Sequence, residues 1–314
     1  MIAYRSNLCK VYRDKKIEQW KKLPVRLFQK DLLDVKQFLA LNFFWWQRHF
    51  ISWHKPRTFS EKAQWSKLYY RPRKYTDIVD KIKFKEFVAE RVGDKYVIPT
   101  LAVWDTPEQM DFTGLPKKFV VKYNHCSGGT YIHTGKREPD VDEVKKIMSG
   151  YSDSHYKRAG EWIYKDVEMK LFAEMYLDED SELGIPDYKF YCFDGVPLYI
   201  QINSFRRHYY FDEEKPVVDY QVVYDMDWNR QPFTIGYPRR NDIDIPKPAN
   251  FDEMKAVAAK LSQGMPYARV DLYNIKGHIY AGEITFYPYS GFHKIRPRKW
   301  DFKLGELFKL GTEK

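Results

Sequence analysis

The sequence predicts an α+β fold, because helical and strand-like patterns are both present but do not alternate strictly. Up to about residue 92, apolar residues recur at the spacing of amphipathic helices. From about Tyr96 the pattern changes to short β-rich runs separated by Pro, Gly and Asp. Helical patterns return over residues 140–149 and 252–263. The 314 residues suffice for one large domain or two smaller ones with buried cores.

Residues 14–50 predict two helices, with Pro24 as the interruption between them. The second helix ends in an aromatic patch at residues 43–46, which basic residues follow. We expect this patch to pack against the main domain. The alternative is a peripheral membrane or glycolipid contact through residues 1–50, since Trp and Phe beside basic residues suit an interface.

Further helix signals lie between Pro56 and Gly93. Pro56 marks a turn, and Ser60 is placed to cap the helix that follows it. Residues 77–92 predict another clear helix, which Gly93 is placed to end.

The strand predictions cover most of the remaining chain. The β-rich runs lie at residues 97–99, 101–104, 119–122, 171–176, 188–193, 198–202, 268–273 and 279–286. The segment 212–248 is rich in Asp, Arg and Pro, which predicts long loops or a short hairpin.

Composition and charge narrow the class of partner. The chain carries 53 Lys and Arg against 43 Asp and Glu, a net charge of +10. This balance favours an anionic partner such as nucleotide phosphates, an acidic polysaccharide or a membrane surface. The basic residues are spread along the chain instead of forming one basic segment, so we predict no nucleic-acid partner. Aromatic residues reach 18%, which suits both buried packing and sugar stacking.

Three cysteines, at positions 9, 126 and 192, have no paired spacing, which argues against a disulfide framework or a zinc site. A reducing compartment is therefore expected. We predict no transmembrane helix, because no run of about 18 apolar residues occurs, and no secretory signal. The expected location is cytoplasmic, with peripheral contact at the inner face of the membrane as the alternative.

The strongest candidate for a chemical site is a predicted β-hairpin with its turn at residues 274–277. Asp271 interrupts the first apolar strand, and Glu283 interrupts the second. The tight turn can bring both carboxylates together on one face of the sheet. Two adjacent carboxylates either bind a hard cation such as Mg²⁺ or form salt bridges, for which Arg269 is a partner. These residues alone support the two interpretations equally.

Other groups suit a nucleotide. A predicted strand ends in Lys122, and the Gly-containing loop 124–130 follows it. The backbone N–H groups of such a loop can converge on phosphate oxygens while the Lys supplies charge, although a simple hairpin turn has the same pattern. The strand that contains Glu174 can present backbone groups to adenine at its exit, and Lys189 offers a further cation near the start of the next strand.

The order of these elements resembles the ATP-grasp superfamily, and the motifs resemble its TupA-like (teichuronopeptide biosynthesis) family. The resemblance covers residues 53–291. The motifs are Lys55-Pro-Arg-Thr-Phe-Ser-Glu-Lys62, Asp80-Lys81, Val121-Lys122-Tyr-Asn-His125-Cys-Ser-Gly128-Gly129, Asp187-Tyr-Lys189-Phe, Ala268-Arg-Val-Asp271-Leu-Tyr and Gly282-Glu283-Ile-Thr-Phe. It implies an ATP-grasp fold with a helical N-terminal extension. Residues 1–75 would contain the extension and the start of the region before the ATP-grasp domain. Residues 76–314 would form that domain, with a lid subdomain at about 115–180.

The resemblance implies ATP and Mg²⁺ as cofactors. Lys81 and Lys122 would contact the phosphates, beneath a flexible lid that contains Ser127, Gly128 and Gly129. The residues implied at the adenine and ribose are Glu174, Met175, Tyr176 and Asp178.

The catalytic and metal-binding roles are implied in the same way. Lys189 would reach the γ-phosphate, and Arg206 would contact an acyl phosphate. His125 would contact a phosphate or deprotonate the amine, with simple packing in its loop as the alternative.

Asp271 and Glu283 would hold Mg²⁺, with Thr285 as a further ligand. Many ATP-grasp enzymes carry Glu-x-Asn here, whereas this chain has Glu283-Ile-Thr285. A hydroxyl oxygen is a poorer ligand than an amide carbonyl, so this departure bears on a second metal more than on nucleotide binding.

The function that the resemblance implies is ATP-dependent carboxylate–amine ligation through an acyl phosphate. The expected substrates are an acidic sugar or polysaccharide precursor, such as a uronic acid, and an amino acid or amine. One alternative is a glycosyltransferase or other transferase that uses a nucleotide sugar, with Asp271 and Glu283 on a diphosphate-bound metal. Another is a non-catalytic module that tethers polysaccharide enzymes to the membrane through residues 1–50.

Overall fold

The structure is a computed structural model that describes residues 22–125, 129–150, 155–177, 185–203, 221–236 and 244–311. Within these ranges it contains both helices and antiparallel sheets, so the α+β prediction is confirmed. The helices are α1 (Leu23–Gln29), α2 (Val35–Gln47), α3 (Phe59–Tyr69), α4 (Lys74–Val79), α5 (Lys83–Val92), α6 (Val141–Ser149), α7 (His155–Ala159), α8 (Phe251–Ser262) and α9 (Lys299–Leu307).

The strands of the described residues form three sheets. They are β1 (Thr100–Trp104), β2 (Phe119–Tyr123), β3 (Thr130–His133), β4 (Leu171–Met175), β5 (Asp187–Phe193), β6 (Val196–Asn203), β7 (Gln221–Asp225), β8 (Thr234–Ile235), β9 (Tyr267–Ile275), β10 (His278–Thr285) and β11 (Ile295–Arg296). One sheet has the order β1-β4-β2-β3 and a larger one the order β10-β9-β5-β6-β7, while β11 pairs with β8. Every pairing between these strands is antiparallel.

Each large sheet has its own apolar core. Helix α8 packs on the five-stranded sheet, and its Met254 and Leu261 are fully buried there. Helix α6 covers the four-stranded sheet in the same way, with Val144 and Met148 fully buried against Leu171. Each of the two larger sheets therefore has a helix packed on one face.

The helix predicted over residues 77–92 is interrupted, which corrects that prediction. Asp80 ends α4 with extended backbone angles (φ −68°, ψ 110°), and its Oδ1 accepts a hydrogen bond from the N–H of Ile82 at 2.9 Å. The N–H of Lys81 donates to the carbonyl oxygen of Asn124 at 3.1 Å. The break therefore links the start of α5 to the end of β2, a long-range contact that local sequence does not reveal.

Ser60 does not cap α3, so that prediction is wrong. Thr58 is the N-cap: its hydroxyl accepts from the N–H of Glu61 at 3.1 Å, and the Glu61 carboxylate accepts from the N–H of Thr58 at 3.1 Å. This reciprocal capping box uses the Thr and Glu three residues apart. Ser60 instead lies inside α3 and donates to Asp301 of α9. Gly93 ends α5 as predicted, with φ of 107°.

The hairpin of β9 and β10 is confirmed. Its two turn residues are Lys276 and Gly277, both with positive φ (50° and 85°) as a tight hairpin requires. Within the segment 212–248, β7 is a full strand of the five-stranded sheet, and an antiparallel bridge between Tyr224 and Arg230 follows it, so residues 221–231 fit the short-hairpin alternative and not the long-loop one. Only three consecutive apolar residues, 222–224, mark this strand in the sequence.

The N-terminal helices pack against the C-terminal part of the chain. Pro24 lies in the first turn of α1, a position that suits proline, and not between the two helices as predicted. Phe38 and Phe43 of α2 are fully buried in a cluster with Phe292. Gln47 Nε2 donates to the carbonyl oxygen of Phe292 at 2.9 Å. The buried side of the aromatic patch therefore packs on the domain, as expected.

No helix within the described ranges is long and apolar enough to cross a bilayer.

Gly305 lies where α9 crosses the start of α3. A Cβ atom here would lie 2.2 Å from the carbonyl oxygen of Arg57 and 2.8 Å from the nitrogen of Phe59. Gly305→Ala gains about 1 kcal/mol of helix propensity, but overpacking against backbone costs typically about 1–3 kcal/mol or more. We therefore expect a net loss of about 1–2 kcal/mol in the free energy of unfolding, measured by urea denaturation.

The control is Glu306→Ala, a variant of the exposed neighbouring residue, which should change the free energy of unfolding by less than about 0.5 kcal/mol. Equal stability of the two variants would contradict the close crossing.

Candidate functional site

A cleft opens between the four-stranded sheet and the β9–β10 hairpin. Strands β2 and β4 and helix α5 form one wall, and β9 and β10 form the other. The residues that line it are Lys81, Phe84, Lys85, Ile98, Lys122, Phe172, Glu174, Tyr273, Ala281, Gly282 and Glu283. The lining thus combines aromatic and aliphatic surface with three Lys and two Glu side chains, which suits an amphipathic anion.

The first charged group of the cleft is the Glu174 cluster, formed by Glu174, Lys85 and Lys122. Lys122 Nζ on β2 lies 2.5 Å from Oε1 of Glu174 on the adjacent strand β4. Lys85 Nζ, from α5, lies 3.0 Å from Oε2 of the same carboxylate. Both carboxylate oxygens therefore accept a charge-assisted hydrogen bond, and Glu174 is only 5% exposed.

Burial and the two cations act on this carboxyl in opposite directions. Burial raises the pKa of Glu174, but Lys122 and Lys85 outweigh it and hold the pKa below its usual value. Burial also lowers the pKa of the Lys85 ammonium, which Glu174 offsets only in part. Glu174 is therefore ionised near neutral pH and presents acceptors only.

The second charged group is the Asp271 cluster, formed by Asp271, Lys189, Arg269, Asp187 and Glu283. Asp271 and Lys189 are register partners on β9 and β5, with Nζ 2.5 Å from Oδ2. Arg269 donates to both Asp271 oxygens at 2.7 Å, through Nε and Nη2. Lys189 also lies 2.5 Å from Asp187 Oδ2. Asp271, Lys189 and Arg269 are 2%, 7% and 6% exposed, so these charges compensate one another away from water.

Burial alone raises the pKa of the Asp271 carboxyl, but Arg269 and Lys189 together lower it below its usual value. For Lys189 the effects of burial and pairing are reversed. Burial lowers the pKa of its ammonium, and Asp187 and Asp271 raise it to a higher value overall. Asp271 and Lys189 are therefore both ionised near neutral pH.

The oxygen atoms near Arg269 fit an Mg²⁺ ion. Glu283 is the register partner of Asp271, its side chain is 42% exposed, and its Oε1 lies 3.6 Å from Arg269 Nη2. Oδ1 of Asp187 is buried and has no hydrogen-bond partner within the described part of the chain. Thr285 accepts a bond from Arg269 Nη2 at 3.0 Å, which uses one of its lone pairs.

No three His, Cys, Asp or Glu side chains of the described ranges are grouped so that they could hold a metal by themselves. Mg²⁺ commonly binds one or two carboxylates together with substrate phosphates. The salt-bridge interpretation of Asp271 is confirmed, because both of its oxygens accept from Arg269 or Lys189. The binding of Mg²⁺ by Asp271 and Glu283 stays a prediction.

The structure brings several predicted residues to one place and leaves others apart. Lys81, Lys122 and Glu174 line the cleft, as does Glu283. His125 does not line it among the described residues: it is 4% exposed, and its ring lies edge-on to Tyr123 at 5.4 Å. Its predicted catalytic role stays a prediction.

The backbone at the predicted adenine contact already makes one hydrogen bond within the protein. The N–H of Met175 donates to the carbonyl oxygen of Pro99 at 3.0 Å, and the adenine contact stays a prediction. Gly129 has φ of 59° in the loop after β2. The predictions that lie outside the described residues are those for Ser127, Gly128, Asp178 and Arg206.

Lys85 and the aromatic lining were missed by the sequence predictions, and Arg269 was considered only as a salt-bridge partner. The spacing of Lys85, Phe172 and Tyr273 from predicted site residues could have identified them. Lys85 follows Lys81 by four residues, one helical turn, although the helix begins only at Lys83. Phe172 precedes Glu174 by two residues, and Tyr273 follows Asp271 by two, which places each pair on one face of a strand.

Two antiparallel sheets flank a Lys- and Glu-lined cleft, with Asp271 and Glu283 paired on the C-terminal hairpin, which is the arrangement expected of an ATP-grasp fold. Residues 61–309 match the model of the TupA-like ATPgrasp family. This range is most of the chain, so the protein belongs to the TupA-like ATP-grasp family. A comparison with curated proteins found no sequence match.

Several solved structures are similar in fold. D-alanine–D-alanine ligase from Bacillus anthracis complexed with ATP is 15% identical, with 72% of this chain and 55% of that chain covered and a TM-score of 0.37. D-cycloserine synthetase DcsG is 18% identical, with 74% and 71% covered and a TM-score of 0.39. The ATP-grasp ligase PsnB, complexed with a phosphomimetic variant of its minimal precursor, Mg and ADP, is 13% identical, with 79% and 65% covered and a TM-score of 0.39. The chain thus spans little more than half the length of the first of these proteins.

Asp271→Asn should be strongly destabilising, because it leaves Lys189 and Arg269 buried with too little negative charge. Removing one partner of a buried ion pair costs about 3–5 kcal/mol of the free energy of unfolding, measurable by urea denaturation at pH 7. Because folding lowers the Asp271 pKa, this contribution is present above the unfolded-state pKa of about 4 and is lost as pH falls through the folded-state value. The stability gap between wild type and variant should therefore narrow only below about pH 4.

The matched control is Glu283→Gln on the partner strand. Its half-exposed carboxylate lies 3.6 Å from Arg269, so the loss should stay below about 1 kcal/mol. Equal losses for the two variants, or a gap that stays constant down to pH 3, would contradict the assignment of Asp271 as the buried counter-ion.

Proposed function

We propose that this protein is an ATP-dependent carboxylate–amine ligase that acts in surface polysaccharide biosynthesis. It joins an amino acid or amine to the carboxylate of an acidic sugar, such as a uronic acid, through an acyl phosphate. The observation that carries the proposal is the cleft lined by the Glu174 cluster on one wall and by Glu283 on the other, with Arg269 of the buried Asp271 cluster 3.6 Å behind Glu283. Membership of the ATP-grasp family supports the nucleotide.

The two walls divide the chemistry between them. Phe172, Ile98 and Tyr273 offer apolar surface to a base, while Lys81 and Lys122 offer charge to its phosphates. Asp271 and Glu283 would hold Mg²⁺, which when bound offsets charge on the transferring phosphoryl group. Because both carboxylates lie near Arg269, the γ-phosphate of a nucleotide bound through this Mg²⁺ would lie close to the Arg269 guanidinium as well.

Lys189 would reach the γ-phosphate, and Arg269, which lies 3.6 Å from Glu283, would add positive charge at the same end of the cleft. In the first step a carboxylate oxygen bonds to the γ-phosphorus, and ADP leaves. In the second step the amine nitrogen bonds to the carbonyl carbon, phosphate leaves, and the nitrogen loses a proton. His125 and Arg206 remain candidates for the base and for an acyl-phosphate contact. Positioning and fixed charge provide most of the rate in such reactions.

The direct test is trapping of the acyl phosphate. The protein is incubated with ATP, Mg²⁺ and a panel of uronic acids, with hydroxylamine in place of the amine. We expect ADP release that depends on the carboxylate, together with a hydroxamate detected by mass spectrometry. ADP release that needs no carboxylate would overturn the ligase proposal. Thermal stabilisation by UDP- or GDP-sugars but not by ATP would favour the transferase alternative, because a ligand that binds the native state raises its stability.

Glu283→Gln tests the role of the hairpin carboxylates in catalysis. We expect carboxylate-dependent ADP release to fall by about 100-fold or more, because the charge that would hold Mg²⁺ is lost. Glu253→Gln is the control. Glu253 lies on α8, its side chain is also 42% exposed, and it pairs with Lys95 instead of lining the cleft. Comparable rates for the two variants would contradict the metal-binding role of Glu283.

The polysaccharide setting is supported by a basic aromatic surface at the end of α2. Phe50 is 81% and Trp46 37% exposed, and the Arg48 guanidinium lies over the Trp45 ring at 5.3 Å. Burial lowers the pKa of Lys294, and the nearby positive charges of Arg296, Arg48 and Arg298 lower it further. These four basic residues therefore lie close together. Exposed Phe and Trp among clustered positive charges fit an anionic lipid surface, where lipid-linked polysaccharide precursors reside.

Vesicle binding tests this membrane contact. The full chain should co-sediment with vesicles rich in phosphatidylserine and not with purely zwitterionic ones. Each Arg near such a surface contributes about 1 kcal/mol to the binding free energy. A triple variant with the changes Phe50→Ser, Arg296→Gln and Arg298→Gln should therefore lose most of the vesicle binding. Lys309→Gln, exposed and paired with Asp194, serves as the charge control. Equal binding to charged and zwitterionic vesicles would exclude the membrane assignment. Binding to an acidic polysaccharide but to neither kind of vesicle would exclude it as well.

A further inference from the structure

The Glu174 cluster contains more positive charge than it needs. One carboxylate lies between two ammonium groups, and the side chains of Glu174, Lys85 and Lys122 are 6%, 13% and 24% exposed. One cation suffices to compensate Glu174. The other is therefore available to an anion that enters the cleft.

Lys85 is the more firmly fixed of the two cations. Its Nζ donates to Glu174 Oε2 at 3.0 Å and to the hydroxyl of Thr100 at 2.9 Å. The same ammonium lies 4.9 Å from the centre of the Phe172 ring. These three contacts come from two different strands, β1 and β4, and hold Lys85 against the back of the cleft.

Lys122 is better placed to move. It is nearly twice as exposed as Lys85, and its strand leads into the loop that contains Gly129. If Lys122 turned towards a phosphate with no second cation present, Glu174 would remain as a buried unpaired carboxylate. Leaving a buried carboxylate unpaired costs several kcal/mol. This cost would make the free energy of binding the anion less favourable.

We propose that Lys85 is a positioning residue that keeps Glu174 paired and fixed while Lys122 turns to the phosphates of bound ATP. The inference rests on the proposed ATP binding. A fixed carboxylate only accepts hydrogen bonds, so Glu174 matches the amino group of adenine and opposes the O6 oxygen of guanine, itself an acceptor. Lys85 thereby contributes to a preference for ATP over GTP.

Calorimetric titration of the full chain with ATP and with GTP tests this role. Lys85→Met keeps the length of the side chain without its charge, and we expect ATP affinity to fall about 10-fold or more, as for loss of a hydrogen bond to a charged group. The ATP-to-GTP affinity ratio should fall as well. Lys85→Arg should restore most of both quantities. Lys83→Met is the control, because Lys83 is 56% exposed and pairs with Asp77 outside the cleft.

A double-mutant cycle with Glu174→Gln separates positioning from a simple loss of structure. Without the Glu174 charge, the further change Lys85→Met should alter ATP affinity very little, so the two effects should not add. The inference is overturned if folded Lys85→Met, checked by its melting temperature, keeps the wild-type affinity and nucleotide ratio, or if the two effects are additive. A wild-type protein that binds neither nucleotide overturns the proposed function itself.

Discussion

The buried carboxylate of Asp271 is the interaction on which the rest of the site depends. It lies on a central strand of the five-stranded sheet, where it compensates Lys189 from one neighbouring strand and Arg269 from its own. A buried ion pair is stable only when its hydrogen bonds are nearly complete, so three side chains are held in one geometry. That geometry fixes the distance from Arg269 to Glu283 at the edge of the cleft. The sheet therefore presents charge in a fixed pattern before any ligand arrives.

The opposite wall is built differently. Glu174, Lys85 and Lys122 belong to three elements, β4, α5 and β2, and are more exposed than the Asp271 cluster. The bond from the Lys81 N–H to the carbonyl oxygen of Asn124 ties α5 to this sheet, so helix and sheet form one wall. The Asp271 side chain and its two cations are thus more buried than Lys85 and Lys122, and a fixed array of charge on one side of the cleft agrees with the proposed reaction, which depends on positioning and charge.

Packing contacts connect the N-terminal helices to the part of the chain that follows the candidate site. The basic aromatic surface at the end of α2 is joined to the C-terminal segment through Phe292 and Gln47. That segment follows β10, which carries Glu283. The basic aromatic surface and the strand that carries Glu283 are thus linked through the C-terminal segment, which agrees with the proposed lipid-linked substrate.

The sequence by itself determined the elements whose signals are local. The hairpin of β9 and β10 followed from two apolar strands and a Gly-containing turn. The pairing of Asp271 with Glu283 did not follow from the turn alone, because it depends on a register shift between Ala281 and Glu283 in β10. The family motifs likewise reside in short contiguous segments. The position of β7 within its segment was not predicted, because its apolar run is too short to stand out from its polar neighbours.

Only the tertiary structure decided how these segments meet. The break at Asp80 depends on a bond between Lys81 and Asn124, residues distant in sequence, and Lys85 reaches Glu174 across 89 positions. That Asp271 is at once a counter-ion and a candidate metal ligand depends on the register of β5 against β9. Pairwise charge interactions fall off with distance, so their sign and partner cannot be assigned until the fold has set which side chains are neighbours.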